Sequence, residues 1–482
     1  MFTFRPRLLP AGPSADPLAG RPSPLRCWRG FAALAMVAAL AGCGAETRYA
    51  PPSRTAAALA PLAPAKSFAR AHPVAPQRAN SDIARDFLDL HFQLESGTAL
   101  PVFTRFEHPI TLRLIGQPTK SLNRDLAALM QRLQREAGLD LRLLGGEAAG
   151  PAANITIEAV PRKAIRRASP RAACFVVPNV SSLAEYRRSK RKPRTNWANL
   201  RARQRLAIFV PNDVSPQETR DCLHEELAQA IGPLNDLYRL SDSVFNDDNV
   251  HTVLTGFDML ILRVGYAPDL RSGMTRAEVA ARLPTILAQL NPGGAGRAAQ
   301  PLPATSRDWI DATEAALTPG SSRAVRLRAA HRGAAIARDL GWQDHRRAFN
   351  HYVLGRILQR DDPELAQQHF ETALIYLQGR YDRPLLRAQI ASRMAAFDII
   401  RGDGATALAR IRPALPVAAR GENAVLLSSL MLLEAEALLL QGQTDAAYAV
   451  RLDSQGWARY GFGPDWAVRS AMTEIAALAP PH

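Results

Sequence analysis

The sequence predicts an α+β domain followed by an all-α helical-repeat domain, and three observations carry that expectation. Between residues 110 and 231, apolar runs of strand composition alternate with amphipathic helical stretches, the pattern of a layered α+β unit. Beyond about residue 308 the strand signal stops and the chain becomes Ala- and Leu-rich with helical spacing. There RDDPELAQQHFETAL, RGDGATALARIRPAL and QGQTDAAYAVRLDS align so that Ala366, Ala407 and Ala447 match, a period of about 40. Small residues at matched places let paired helices approach closely. At 482 residues and 47% hydrophobic, the chain has room for two or three cored domains.

Residues 1–42 read as a lipoprotein signal peptide. Arg26 and Arg29 precede the run FAALAMVAAL, too short for a permanent membrane span, and Leu40-Ala41-Gly42-Cys43 supplies small residues at a cleavage point. Cys43 is then the lipidated first residue of the mature chain; the competing reading is a plain secretory signal with an incidental cysteine. Gly44 after that cysteine, rather than Asp, resembles outer-membrane sorting in Gram-negative lipoproteins. The expected location is therefore the outer membrane, facing the periplasm. Residues 43–80 are Ala- and Pro-rich without apolar periodicity and read as a tether.

The α+β domain is expected over 81–290. Asn80 and Ser81 offer N-caps for a helix DIARDFLDLHF, and TLRLIG from Thr111 reads as a strand. SLNRDLAALMQRLQREAG is amphipathic, with Leu122, Leu126, Leu129, Met130 and Leu133 on one side. LDLRLL, NITIEAV and LAIFVP add strands, and Asp213 and Ser215 stand where the next helix needs an N-cap. PGGAGRAAQPLPATS reads as a linker over 291–307, and 308–482 forms the helical domain.

The chemistry, if any, centres on Cys222 to Asp236, CLHEELAQAIGPLND. Leu223, Leu227, Ala230, Ile231 and Leu234 make an apolar stripe, which leaves Glu225, Glu226 and Gln229 outside it. Zinc peptidases use HExxH because two imidazoles one turn apart hold one metal while the intervening Glu activates its water. Two registers of that pattern fit here, and each lacks ligands. With His224 first, Ala228 falls on the second ligand position; with Glu225 first, Gln229 does, Gly232 takes the glycine and Asn235 the third position, with Asp236 beside it. The second register retains more of the pattern. Its all-oxygen set suits Ca²⁺ or another hard divalent ion and disfavours zinc, and one helix supplies few of the oxygens Ca²⁺ needs, so the expectation is no cofactor. Asp242, FNDD at 245–248 and His251 extend the polar cluster. The plainer readings are a solvated helix face and a turn.

EELAQAIGPLND, FNDD, TGFDMLILRVGYAPDLRSGM from Thr255 and LESGTALPVFTRFEHPITLRLIG from Leu94 resemble the bacterial envelope family called domain of unknown function 2927, over about residues 80 to 290. The resemblance implies a zincin-like fold, with a later helix carrying Asp258 and ending at Tyr266, and it implies no activity. The helical region is similar to tetratricopeptide hairpins, with an irregular bundle as the alternative.

The formal charge is +16, and residues 1–42 hold five Arg against one Asp, so the mature chain stays basic. YRRSKRKPRTNWANLRARQR from Tyr186 holds nine Lys or Arg and no acid. Behind a lipobox this excludes nucleic acid and points Arg187, Arg188, Lys190, Arg191, Lys192 and Arg194 at anionic envelope polymers or lipid head groups, with a mobile solvated loop as the competing reading. Trp197 within it has the amphipathic ring to stack on a sugar or sit at a lipid interface. Cys174 and Cys222 remain once Cys27 and Cys43 are accounted for, and an oxidising compartment favours their pairing.

The functional expectation is a lipid-anchored periplasmic protein with a degenerate, non-catalytic zincin-like domain and a helical domain that binds a protein partner, in a scaffold or assembly role. The alternative is a metallopeptidase-like or cell-wall hydrolase with Glu226 as general base and Glu225, Gln229, Asn235 or Asp236 in support.

Overall fold

The structure is a computed structural model that describes residues 61–68, 73–145, 153–379 and 383–480. The signal peptide and Cys43 lie outside the described residues.

Helix α1 (Asn80–His91) leads into strand β1 (Ile110–Gly116), helix α2 (Lys120–Ala137), and strands β2 (Leu141–Leu143) and β3 (Ile155–Val160). Helix α3 (Arg162–Ala168), strand β4 (Phe175–Pro178), helix α4 (Leu183–Ser189), strand β5 (Leu206–Pro211) and helix α5 (Pro216–Ile231) follow. The five strands form one sheet in the order β2-β1-β3-β5-β4. Four are parallel; β4 alone runs antiparallel, with Val176 opposite Ile208 of β5. Every residue of β5 is buried, as expected of a strand covered on both faces, which is why LAIFVP reads as an unbroken apolar run. The stripe predicted on α2 is buried as a unit; Thr119 caps its first turn, and Gly138 at φ 70° closes it in the left-handed region. Helices α6 (Gly256–Gly265) and α7 (Arg276–Leu290) complete this region, each opened by a capping box.

The second region is helical throughout its described residues: α8 (Arg307–Leu317), α9 (Arg323–Asp339), α10 (His345–Leu358), α11 (Pro363–Tyr376), α12 (Pro384–Ile400), α13 (Gly404–Arg420), α14 (Ala424–Leu440), α15 (Thr444–Phe462) and α16 (Asp465–Ala476). Its closest packing is between successive helices, α8 with α9, α10 with α11, α12 with α13 and α14 with α15. Ala366, Ala407 and Ala447 each stand fourth in the second helix of a pair, and all three are buried. Gly355 serves the same close approach, since a Cβ there would fall 2.6 Å from the buried ring of Phe370.

From Ala63 onward both regions belong to one compact unit. Tyr238 and Val250, from the loop between α5 and α6, sit in the apolar core of the helical region. Arg383 is wholly buried against Asp248 and donates through Nε to the Ser241 carbonyl at 2.8 Å. Tyr460 of α15 donates to Asp125 of α2 at 2.8 Å. Residues read as a tether or a linker are laid down on this body. The Lys66 N–H donates to the Gly456 carbonyl at 3.0 Å, and Phe68 stacks on Trp457 with centroids 4.6 Å apart. Arg78 pairs with Asp86 at 3.0 Å, and the Gln300 N–H donates to Asp82 at 2.8 Å. Among the described residues no helix is long and apolar enough to cross a membrane.

Candidate functional site

Helix α5 forms where the sequence places it. Ser215 accepts the Glu218 N–H, Pro216 fills the first helical position and the helix stops at Gly232, before Pro233. Its surroundings differ from a half-solvated helix. It packs on α2, β4, β5 and α15, and 12 of its 16 residues are buried. A solvated face for the three polar residues is therefore overturned: Glu226 is 3% exposed and Gln229 6%, with Glu225 half-buried.

Glu225 and Glu226 lie about 100° apart around the helix, yet their carboxylates converge. Together with the Cys174 sulfur they form a group whose ligand atoms all lie within 4.8 Å of one another, the one such trio of His, Cys, Asp or Glu among the described residues. Cys174 stands just before the edge strand β4, and its sulfur is at disulfide distance from Cys222, with Cα atoms 5.9 Å apart. A sulfur so paired offers no thiolate to a metal, which leaves two carboxylates. The pairing also fastens β4 to α5, so the acids stand beside a strand edge.

Of the remaining predicted ligands, Gln229 is buried one turn along α5 from Glu225. Asn235 is buried and donates through Nδ2 to the Asp89 carbonyl on α1 at 2.9 Å; Asp236 is half-buried beside it. The acids that follow are drawn to separate partners: Asp242 to Arg78, Asp247 to the Tyr238 hydroxyl at 3.1 Å, Asp248 to Arg383 and to the Val250 N–H at 3.0 Å. FNDD includes a turn at Phe245–Asn246, and Asp247 takes a left-handed φ of 57°. Oxygen donors close in sequence are thus dispersed in space. Asp258 sits in the capping box of α6 and accepts from the Thr255 N–H at 2.8 Å, the Val244 N–H at 3.1 Å and the Ser243 hydroxyl. Burial outweighs those bonds and pushes its carboxyl up to about 6.

His224 is buried, and its Nδ1 accepts the Leu254 N–H at 3.2 Å. Desolvation first, then Arg220 and Arg132, holds it far below the ordinary histidine range, so it is a neutral structural ring.

The basic run is ordered, in place of the mobile loop weighed from sequence. It forms α4 and two 3₁₀ turns, Pro193–Thr195 and Trp197–Asn199. Arg187, Arg188, Lys190, Arg191, Lys192 and Arg194 are all exposed; Arg187 and Lys190 donate to the Ala164 and Ala168 carbonyls at 3.2 and 2.6 Å, and Arg194 reaches Glu185 at 3.4 Å. Trp197 is half-buried, packs on the core and holds its ring 5.6 Å from the Arg203 guanidinium. Arg203, from the same run, is 3% exposed and donates to the Gln229 and Ala230 carbonyls at 2.6 and 2.8 Å and to the Gly232 carbonyl. It satisfies the last carbonyls of α5 and meets the negative end of its dipole.

Sequence reasoning missed Arg203 and also the pair Arg220–Glu422, in which a buried α5 guanidinium meets a buried carboxylate just before α14. Arg220, fifth in its helix, stands between Thr219 and Asp221 and offers no local signal, and its partner lies 202 residues away.

Residues 80–285 match the profile of a family described as "Protein of unknown function (DUF2927)". No curated protein and no solved structure matches the chain.

Proposed function

We propose that the protein is a lipid-anchored envelope scaffold, held by Cys43 at the outer membrane and facing the periplasm. Its α/β region is a degenerate, non-catalytic zincin-like domain, and its helical region is a tetratricopeptide-like array that binds a protein partner. The observation that carries the reading is the composition of the α5 site. Two carboxylates and an already paired sulfur stand beside an edge strand, where a zinc peptidase would present imidazoles. A mostly parallel sheet whose antiparallel edge strand β4 runs beside α5 supports the zincin-like part. Buried Ala366, Ala407 and Ala447 at one register support the repeat. Exposed apolar side chains favour the helical region as the docking face: Ile375, Tyr448, Leu452 and Trp466 are 62, 73, 60 and 74% exposed, and Tyr448 and Leu452 share one face of α15. The exposed Arg187–Arg194 cluster suits anionic envelope polymers or head groups as a secondary contact.

Metal content tests the catalytic half. Elemental analysis of natively purified protein should find no zinc that depends on Glu226; one zinc per chain, lost on Glu226→Gln, refutes the degenerate reading. The burial of Glu226 keeps a metal-free hydrolase in view as the alternative, with Glu226 as base. Glu226→Gln abolishing turnover of a peptide or cell-wall substrate at unchanged Tm would establish it. For the anchor, Cys43→Ser should end incorporation of labelled fatty acid and move the protein to the soluble fraction.

A further inference from the structure

A pair of imidazoles in the helical region lies outside everything argued so far. His351 on α10 and His369 on α11 are half-buried, and their Nδ1 atoms stand 3.1 Å apart with ring centroids at 5.3 Å. The two nitrogens face each other across the contact between paired helices. His351 is held in place by Tyr376, whose ring stacks on it at 5.8 Å and 13° and is covered in turn by Arg347 at 4.7 Å. A third histidine, His331, lies on the adjoining helix α9, near enough to His369 to act on its charge and exposed enough to move. It does not meet the pair within 4.8 Å as placed.

We propose that His351 and His369 form a binding site for a borderline divalent transition metal of the Zn²⁺, Ni²⁺ or Cu²⁺ class, with His331 and water completing the ligand set. Two nitrogens each about 2.05 Å from one ion stand about 2.9 Å apart at a right angle and about 3.3 Å apart at the tetrahedral angle. The observed separation falls between those values, so turning the two rings toward a common point is enough to seat the ion. Without metal, one ring donates its Nδ1 proton to the other's lone pair. On binding, that ring shifts its proton to Nε2, and both present lone pairs with no net change in protonation. The nearby Arg347 opposes a cation. It is drawn over the Tyr376 face, and its charge limits affinity. The donors are nitrogen, unlike the oxygen-rich α5 group, so a Zn²⁺-class ion prefers the histidine pair. The physical role is a clip between successive helices, strengthening the array when metal is present.

The test uses the untagged full chain, stripped with chelator and titrated with Zn²⁺ by calorimetry and with Co²⁺ by visible absorption. One equivalent should bind, with Co²⁺ d–d bands of nitrogen ligation and a rise in Tm. His351→Ala and His369→Ala should each raise Kd at least about 100-fold, since losing even a supporting partner costs about 10- to 100-fold, and His331→Ala should cost less. Glu226→Gln should leave the binding unchanged. Absence of Co²⁺ bands in the wild-type chain overturns the proposal even where a histidine variant fails to fold. So does binding that survives both inner substitutions or vanishes with Glu226→Gln.

Discussion

Acid should destabilise this protein strongly between pH 7.5 and 5.0, because three buried histidines must stay neutral in the fold. His91, His224 and His345 are 4, 2 and 1% exposed. Desolvation is the largest cause in each case; it takes His91 to about 3 and His345 to about 4, and His224 well below the usual value. A base whose folded pKa is depressed gives stability that is complete above the unfolded value near 6.5 and is lost as pH falls toward the folded value. Between pH 7.5 and 5.0 the unfolded chain gains about RT ln(1 + 10^1.5), or about 2 kcal/mol, from each ring, while the folded chain gains almost nothing; three rings give about 6 kcal/mol. Asp258 works the other way. Its folded value near 6 lies above the unfolded one, so the fold takes up its proton first and recovers about 1.4 kcal/mol by pH 5.0. The net loss is about 5 kcal/mol, a large part of the 5–15 kcal/mol typical of a domain. Urea unfolding followed by tryptophan emission reads it directly. At an m of about 3 kcal/mol/M the midpoint should fall by more than about 1 M between the two pH values. An unchanged midpoint would refute the reasoning, and His224→Gln should remove about two fifths of the shift.

Removing one partner of the buried Arg220–Glu422 pair, as in Arg220→Ala, should cost about 3–5 kcal/mol and expose the junction between the regions to limited proteolysis. Reduction of the Cys174–Cys222 pair, 48 residues apart in sequence, should cost about 4 kcal/mol on the loop-entropy estimate, read as a lowered Tm in dithiothreitol. Gly355→Ala should cost about 1–3 kcal/mol, because its Cβ would meet three Phe370 ring atoms at 2.6–2.9 Å and that ring is wholly buried. A neutral effect on the urea midpoint would show that α10 and α11 can separate freely. Arg203→Ala should lower Tm by removing the donors that close the C-terminal end of α5, and Arg203→Lys should restore little, since one ammonium cannot span the carbonyls of 229, 230 and 232.

Periodicity made the regular elements legible. The α2 stripe, the β5 run and the Ser215 cap follow from local rules and appear in place. β4 did not stand out, because four residues, FVVP, hold too few alternations to mark a strand and gain one only by pairing with β5. Asp242, Asp247 and Asp248 looked like one donor cluster because sequence shows proximity along the chain; Arg78 and Arg383, which draw two of them apart, arrive from more than 130 residues away. The competing loop reading of the basic run has a related basis. Net charge predicts repulsion, but Arg203 and Arg205 find carbonyls and Glu185 that composition alone does not reveal.

Helix α5 shows why an amphipathic reading fails at a junction. A helix at the surface of one domain needs one apolar stripe; one held between a sheet and a second domain needs partners on every side. α5 resolves this with mixed chemistry: Leu223, Leu227 and Ile231 join the core of the α/β region, Arg220 and Gln217 bond to Glu422 and Asn423 of the helical region, and Arg203 closes the end. Its carboxylates at 225 and 226 occupy the remaining side, against Cys174 and the edge strand. The acids therefore stand where β4 and α5 are pinned together.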